Sequence, residues 1–319
     1  MDGIRAAQDR LLAKRFGVFN HYLSGDPGNE AASAVSADEW NGRVAAFDVP
    51  ALAKRVYETG AGYYFITIQQ SARYMIAPNA AYDRIGGTKP GEACPERDLI
   101  MELADELAKY DIDMCLYIAS CGPYDDAQLA PKFGFGEGMP LNRAYVEKWA
   151  QVIREYSLRY GEKIKAWWID GCYREVHGFT DELMALYDAA CKAGNPNALV
   201  AQNDGVKMDF EKNYVGENLI CGEFNDFEKI PASRFIDGAQ AHILAPIGKG
   251  EEGNEWSRWR SRGVQRDAEY MAAYIRRANA AGMPVTIDAF IDSDGNWDGE
   301  QFELLKEVGR LLKGGAEPV

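Results

Sequence analysis

Tyr63-Tyr64-Phe65-Ile66-Thr67-Ile68 is aromatic or β-branched at every position, with no charge and no apolar–polar alternation. A strand with one wet face alternates, and a strand covered on both faces does not. The stretch therefore reads as a strand buried on both faces of a parallel sheet. Comparable runs lie at 16–20, 112–118, 164–169, 198–202, 218–221, 240–245 and 283–290, which makes eight.

Helical patterns lie between these runs. Asp48 suits an N-cap, Pro50 the first turn and Gly60 the position just past the end. Within 95–110, Leu99, Leu103 and Leu107 recur at spacing four, and 142–160 places Tyr145, Trp149, Val152 and Tyr156 on one face. Segments 180–191, 268–281 and 301–312 complete the set. Eight parallel strands joined by right-handed helical crossovers form a (β/α)8 barrel, here expected as one catalytic domain over 1–319. The units between the fifth and seventh runs have short helices or none. An open doubly wound sheet is disfavoured because no GxGxxG follows the first strand. The glycines of 134–138 follow no strand into a helix and read as a loop.

The chain has 319 residues, with 35 basic and 49 acidic side chains and a net charge of −14. Such a surface repels phosphate backbones and anionic membranes, so neither is an expected partner. A neutral small molecule or sugar is compatible, and the oligomeric state is not read from sequence. No apolar run approaches the ~18 residues of a membrane span. Six cysteines include no CxxC pair, and only three histidines occur, so no structural zinc site and no cofactor is expected. The first fifteen residues are polar and helical with no apolar core, which reads as a reduced, cytoplasmic protein without a signal peptide.

Barrel chemistry collects at the C-terminal ends of strands. There the chain offers Asn20-His21-Tyr22, Gln69-Gln70, Arg73, Ser120-Cys121, Asp170, Tyr173-Arg174, Asn203-Asp204, Glu223 to Asp226, Glu251, Glu252, Glu255, Trp256, and Asp288, Asp292 and Asp294. This rim is rich in carboxylates, amides and aromatics and poor in His and Lys. Amides and carboxylates hydrogen-bond sugar hydroxyls, and flat rings cover sugar C–H faces. Two carboxylates across one pocket are what glycoside hydrolysis needs. Trp167 and Trp168 alternate, so one faces the interior and the other the helices. Asp292, Asp294 and Asn296 around Gly295 read as a turn, not a calcium loop.

Four segments also carry a resemblance: Lys14 to Tyr22, Ala61 to Arg73, Ala166-Trp167-Trp168-Ile169-Asp170-Gly171, and Val285 to Gly295 with the following helix. In order and spacing they resemble the barrel of the α-L-fucosidases, glycoside hydrolase family 29. The C-terminal β-sandwich usual in that family has no counterpart in this sequence.

By that resemblance Asp170 is the nucleophile. Glu223 is the acid/base, with Glu251, Glu252 and Glu255 as alternatives. His21, Tyr22, Gln69, Gln70, Trp168, Tyr173, Arg174, Asn203 and Trp256 are the expected sugar contacts. Gln69-Gln70 stands where the family carries two histidines, and Tyr22 where it carries tryptophan. The expected activity is therefore retaining exo-hydrolysis of a terminal sugar, fucose or a related one. The rival expectation is a carbohydrate-binding barrel that has lost hydrolysis. A metal-dependent barrel enzyme is a third, disfavoured by the three histidines.

Overall fold

The computed structural model describes residues 2–25, 35–135 and 141–314. The strands are β1 (Phe16–Asn20), β2 (Tyr63–Gln69), β3 (Asp113–Ala119), β4 (Ile164–Asp170) and β5 (Leu199–Gln202). A small antiparallel pair follows, β6 (Phe235–Ile236) and β7 (Ala239–Gln240), and then β8 (Ile243–Pro246) and β9 (Val285–Asp288). All but β6 and β7 form one seven-stranded parallel sheet in the order β5-β4-β3-β2-β1-β9-β8. The last strand pairs with the first, so the sheet curls on itself.

Helix boundaries follow the capping chemistry. Asp48 accepts from the Ala51 N–H at 2.9 Å and starts the helix Val49–Thr59. Gly60 ends it at φ 77°. Asp98, Asn142, Thr180 and Asp267 cap Leu99–Ala108, Arg143–Tyr160, Asp181–Cys191 and Ala268–Ala280 in the same way. Among the described residues no helix is long and apolar enough to cross a membrane. Of the glycine-rich 134–138, Gly134 ends a short helix; 136–138 lie outside the described residues.

Alternation splits the buried side chains between two layers. Phe19, Phe65, Tyr117, Trp168 and Leu244 fill the inside of the curled sheet, together with Leu11 of the first helix, Asp2–Ala13. Val18, Tyr64, Ile66, Leu116, Ile118 and Trp167 face the helices in a cluster that runs on to Leu312. Each such side chain contributes about 1.5–3 kcal/mol by leaving water.

The expected eighth strand is the correction. Segment 218–221 is not a regular strand. Its β-pairing is reduced to an isolated bridge from Leu219 to Gln240, with a second just beyond it from Glu223 to Leu244. On that side its backbone pairs normally: the Ile220 N–H donates to the Gln240 carbonyl at 2.9 Å and the Leu244 N–H to the Gly222 carbonyl at 2.8 Å. Towards β5, side chains replace the ladder. The Val200 N–H donates to Asn218 Oδ1 at 2.7 Å, and the Gln202 N–H to Glu217 Oε1 at 2.6 Å. Gly222 has φ 60° and approaches the His242 carbonyl so closely that a Cβ there would stand 1.8 Å from its oxygen. That turn breaks the strand and sends Glu223 towards the interior.

Candidate active site

Asp170 lies two residues beyond the inward-facing Trp168, so alternation aims it into the interior at the C-terminal end of β4. Its Oδ2 accepts from the Tyr117 hydroxyl at 2.6 Å and its Oδ1 from Asn203 Nδ2 at 2.7 Å. The Tyr117 ring is clamped between Phe19 (5.3 Å) and Trp168 (5.4 Å), which fixes the direction of its hydroxyl.

Asn203 follows β5 and is fully buried. Its backbone N–H donates to the Ile169 carbonyl at 2.7 Å, and its carbonyl accepts from the Cys172 N–H at 2.6 Å. The same Nδ2 that serves Asp170 also donates to Glu223 Oε2 at 2.5 Å. An amide nitrogen has two hydrogens, one for each carboxylate. The two accepting oxygens therefore stand no more than about 5 Å apart. Burial, and next the charge of Asp170, push the Glu223 carboxyl up to about 8, while the Asn203 hydrogen bond works the other way. Glu223 is thus a proton holder near neutral pH, beside a carboxylate that receives two donors.

Other residues frame this pair. His21 follows β1, with Nδ1 2.8 Å from Asp288 Oδ1 at the end of β9. Its ring sits 4.2 Å from Phe19, 5.6 Å from Tyr117 and edge-on to Trp259 at 5.9 Å. Tyr173 packs over Gly205, where a Cβ would stand 3.1 Å from its ring. Burial, then the charges of Asp170 and Glu223, raise its phenol well above the ordinary value. Gln69 Nε2 donates to the Ala72 carbonyl at 2.5 Å. Three buried carbonyl-type oxygens, on Gln69, Gln70 and Asn203, have no partner. Buried polar atoms are normally paired, and unpaired acceptors of this kind suit sugar hydroxyls.

Two expected contacts are placed elsewhere. Tyr22 is wholly buried between Trp40 (5.2 Å) and Phe47 (4.8 Å), because the chain turns outward after His21 and lays this ring under helix Ala37–Ala46. It serves packing. Arg174 points away from the pair, its guanidinium taken by the Asn213 carbonyl at 3.1 Å and by the Asp181 carboxylate. Trp168 donates Nε1 to the Cys221 carbonyl at 3.4 Å, deeper in the interior than Asp170. Trp256 is 56 % exposed on the rim. Glu251, Glu252 and Glu255 are exposed, and Glu251 pairs with Arg258. His177 is held by the Gly171 carbonyl and the Cys121 thiol, each at 2.9 Å, and Arg73 by Asp126 at 2.5 Å. Asp292 accepts from the Asn296 N–H at 2.8 Å, an ordinary turn. Among the described residues no group of acidic, His or Cys side chains could hold a metal ion.

Sequence reading missed Tyr117, the His21–Asp288 pairing and Trp259. Tyr117 lies inside its strand, not at the end. Its inward parity with Trp168 was the available clue. The other two depend on contacts between distant strands and loops.

No family model and no curated protein matches this sequence. Solved structures do match in shape. An α-L-fucosidase from Lactobacillus casei superposes at a TM-score of 0.65 and 15% identity, covering 96% of this chain and 98% of that one. This chain has the fold of α-L-fucosidases. A family 29 α-L-fucosidase from Bacteroides thetaiotaomicron agrees at 0.65 and 18%, over 96% of this chain and 73% of the other. An endo-fucoidan hydrolase of glycoside hydrolase family 107 reaches 0.72 at 13%, with this chain spanning 54% of its length. The fucosidase-like fold, an α/β architecture around a curled parallel sheet, is common to all three.

Proposed function

We infer that the protein is a retaining exo-glycosidase of fucosidase type, acting on a terminal fucose or a related sugar. Asp170 is the nucleophile and Glu223 the acid/base, in a single catalytic (β/α)8 domain in which segment 217–224 takes the place of the eighth strand. One observation carries the reading: Asn203 Nδ2 bridges both carboxylates. Retaining enzymes hold their carboxyls ~5–5.5 Å apart, whereas inverting ones leave ~6.5–9.5 Å for a water. A shared hydrogen-bond donor, which keeps the two accepting oxygens within about 5 Å, favours the shorter spacing.

The chemistry follows from the two environments. Asp170 attacks the anomeric carbon as the bond to the leaving oxygen breaks, and that oxygen takes the Glu223 proton. Glu223, now ionised, removes a proton from water, which displaces Asp170 and releases the sugar. Tyr117 and Asn203 donate to Asp170 and hold its two oxygens in place. His21, whose ring lies 5.6 Å from that of Tyr117, is the contact for the sugar hydroxyls.

Aryl α-L-fucoside and α-L-galactoside are the test substrates, with the first-formed anomer read by NMR. The expected product keeps the α configuration. The β anomer would refute retention, and calorimetric sugar binding without release of the aryl group would favour the binding-barrel reading, which the paired glutamines motivate. Because Glu223 must carry its proton, kcat/KM falls as pH rises through about 8.

A further inference from the structure

A cavity of about 790 Å³ lies on the far side of Trp259 from His21. Asn225, two residues past Glu223, lines it, and so does Trp259, which meets His21 edge-on. Its charge runs against that of the chain. Among the described residues Arg258, Arg260 and Arg262 line it and Asp292 is its one acidic lining residue, in a protein of net charge −14.

Two of these arginines are held loosely. Arg258 is 57% exposed and contacts Glu251, itself 74% exposed. Arg262 is 59% exposed, and its nearest carboxylates are Asp298 at 3.6 Å and Asp292 at 3.9 Å. Among the described residues its guanidinium makes no hydrogen bond. Its Cζ lies over the Phe290 ring, 4.3 Å from the centroid. Exposed ion pairs are weak and exchange readily for a better-shaped anion. Arg260 donates to the Gly25 carbonyl at 2.8 Å and holds φ 53°, so its backbone is committed to this wall. Ser257 Oγ and Trp259 Nε1 are buried without partners. Trp256 and Trp259 add flat faces for sugar C–H surfaces.

We propose that this cavity binds the leaving-group half of the substrate and that this half is an anionic saccharide, its sulfate ester or carboxylate held by Arg258 and Arg262. The assignment to the leaving group rests on the glycosidase reading, in which Glu223 donates the proton and Asn225, two residues further on, lines the cavity. The guanidinium fork fits either anion.

The test is calorimetric titration of the protein with galactose, galactose 6-sulfate and galacturonate. One or both anionic sugars should bind at least roughly tenfold more tightly than galactose, and added salt should shrink the gap. The tighter of the two identifies the anion. In the double variant Arg258→Gln, Arg262→Gln the gap should vanish with the thermal midpoint unchanged. Equal affinities for all three sugars, or a gap that survives the double variant or is indifferent to salt, would overturn the proposal. The readout is binding, so a protein that prefers the anionic sugars but never hydrolyses a glycoside refutes the glycosidase reading and leaves the anion site standing.

Discussion

The arc of β1 to β4 and the arc from 199 to 244 build the same curled wall by different means. In the first, adjacent strands share parallel ladders, shifted in register only at Thr67–Gln69 and Met114–Cys115, and capped helices cover them. In the second, β5 reaches its neighbour through the side chains of Asn218 and Glu217, and no helix lies between 192 and 267. The difference has an electrostatic consequence. A ladder satisfies N–H groups with neutral carbonyls, whereas the irregular arc uses carboxyls and must bury them. Both acidic groups pushed up to about 8, Glu217 and Glu223, belong to the irregular arc. The regular arc supplies Asp170, held in place by its strand. The irregular arc supplies its proton-holding counterpart, and Asn203 joins the two.

Four changes break or sharpen that contrast. Asp170→Asn removes the group that the ladder positions. Turnover of aryl α-L-fucoside should drop at least about a thousandfold at an unchanged melting temperature, and near wild-type turnover would remove Asp170 from the mechanism. Leu116→Ala empties a fully buried site between β3 and the helices. It should cost about 2–5 kcal/mol in denaturant unfolding. Asn203→Ala cuts the link between the arcs and should lower kcat by about a hundredfold. Because its hydrogen bond holds the Glu223 pKa down, the alkaline limb should also move up. A purely structural Asn203 would leave that limb in place.

The smallest effect is on stability against pH. Burial raises the Glu217 carboxyl from its ordinary 4.5 to about 8, although it accepts from the backbone of Gln202, Tyr214 and Asn213. A carboxyl bound more tightly to its proton in the fold contributes stability that is full below the ordinary pKa and lost as pH rises through the folded one. Between pH 4.5 and 8 the wild type should thus lose stability that Glu217→Gln keeps. Parallel slopes for the two proteins would show that Glu217 is not titrating.

The contrast also explains what could be read in advance. Seven of the strands lie within the apolar runs or a residue of them, and the caps Asp48, Asn142 and Thr180 start their helices. Period and capping are local properties, so they survive without a fold. Segment 218–221 reads as a strand because Leu219, Ile220 and Cys221 are apolar, and they are indeed buried. Apolar composition reports burial; it does not report whether a backbone partner waits on both sides. Tyr22 misleads in the same way, since a residue just past a strand end can turn either to the rim or back into the core.

What the sequence determined by itself is the alternating strand and helix plan, the acidic surface, and the presence of Asp170, Asn203 and Glu223 near strand ends. Tertiary structure alone decided that one amide nitrogen serves both carboxylates and that Tyr117 reaches Asp170 from the next strand. The first set follows from interactions between residues a few positions apart. The second needs side chains 20 to 53 positions apart in sequence to meet within hydrogen-bond distance, which only the curl of the sheet brings about.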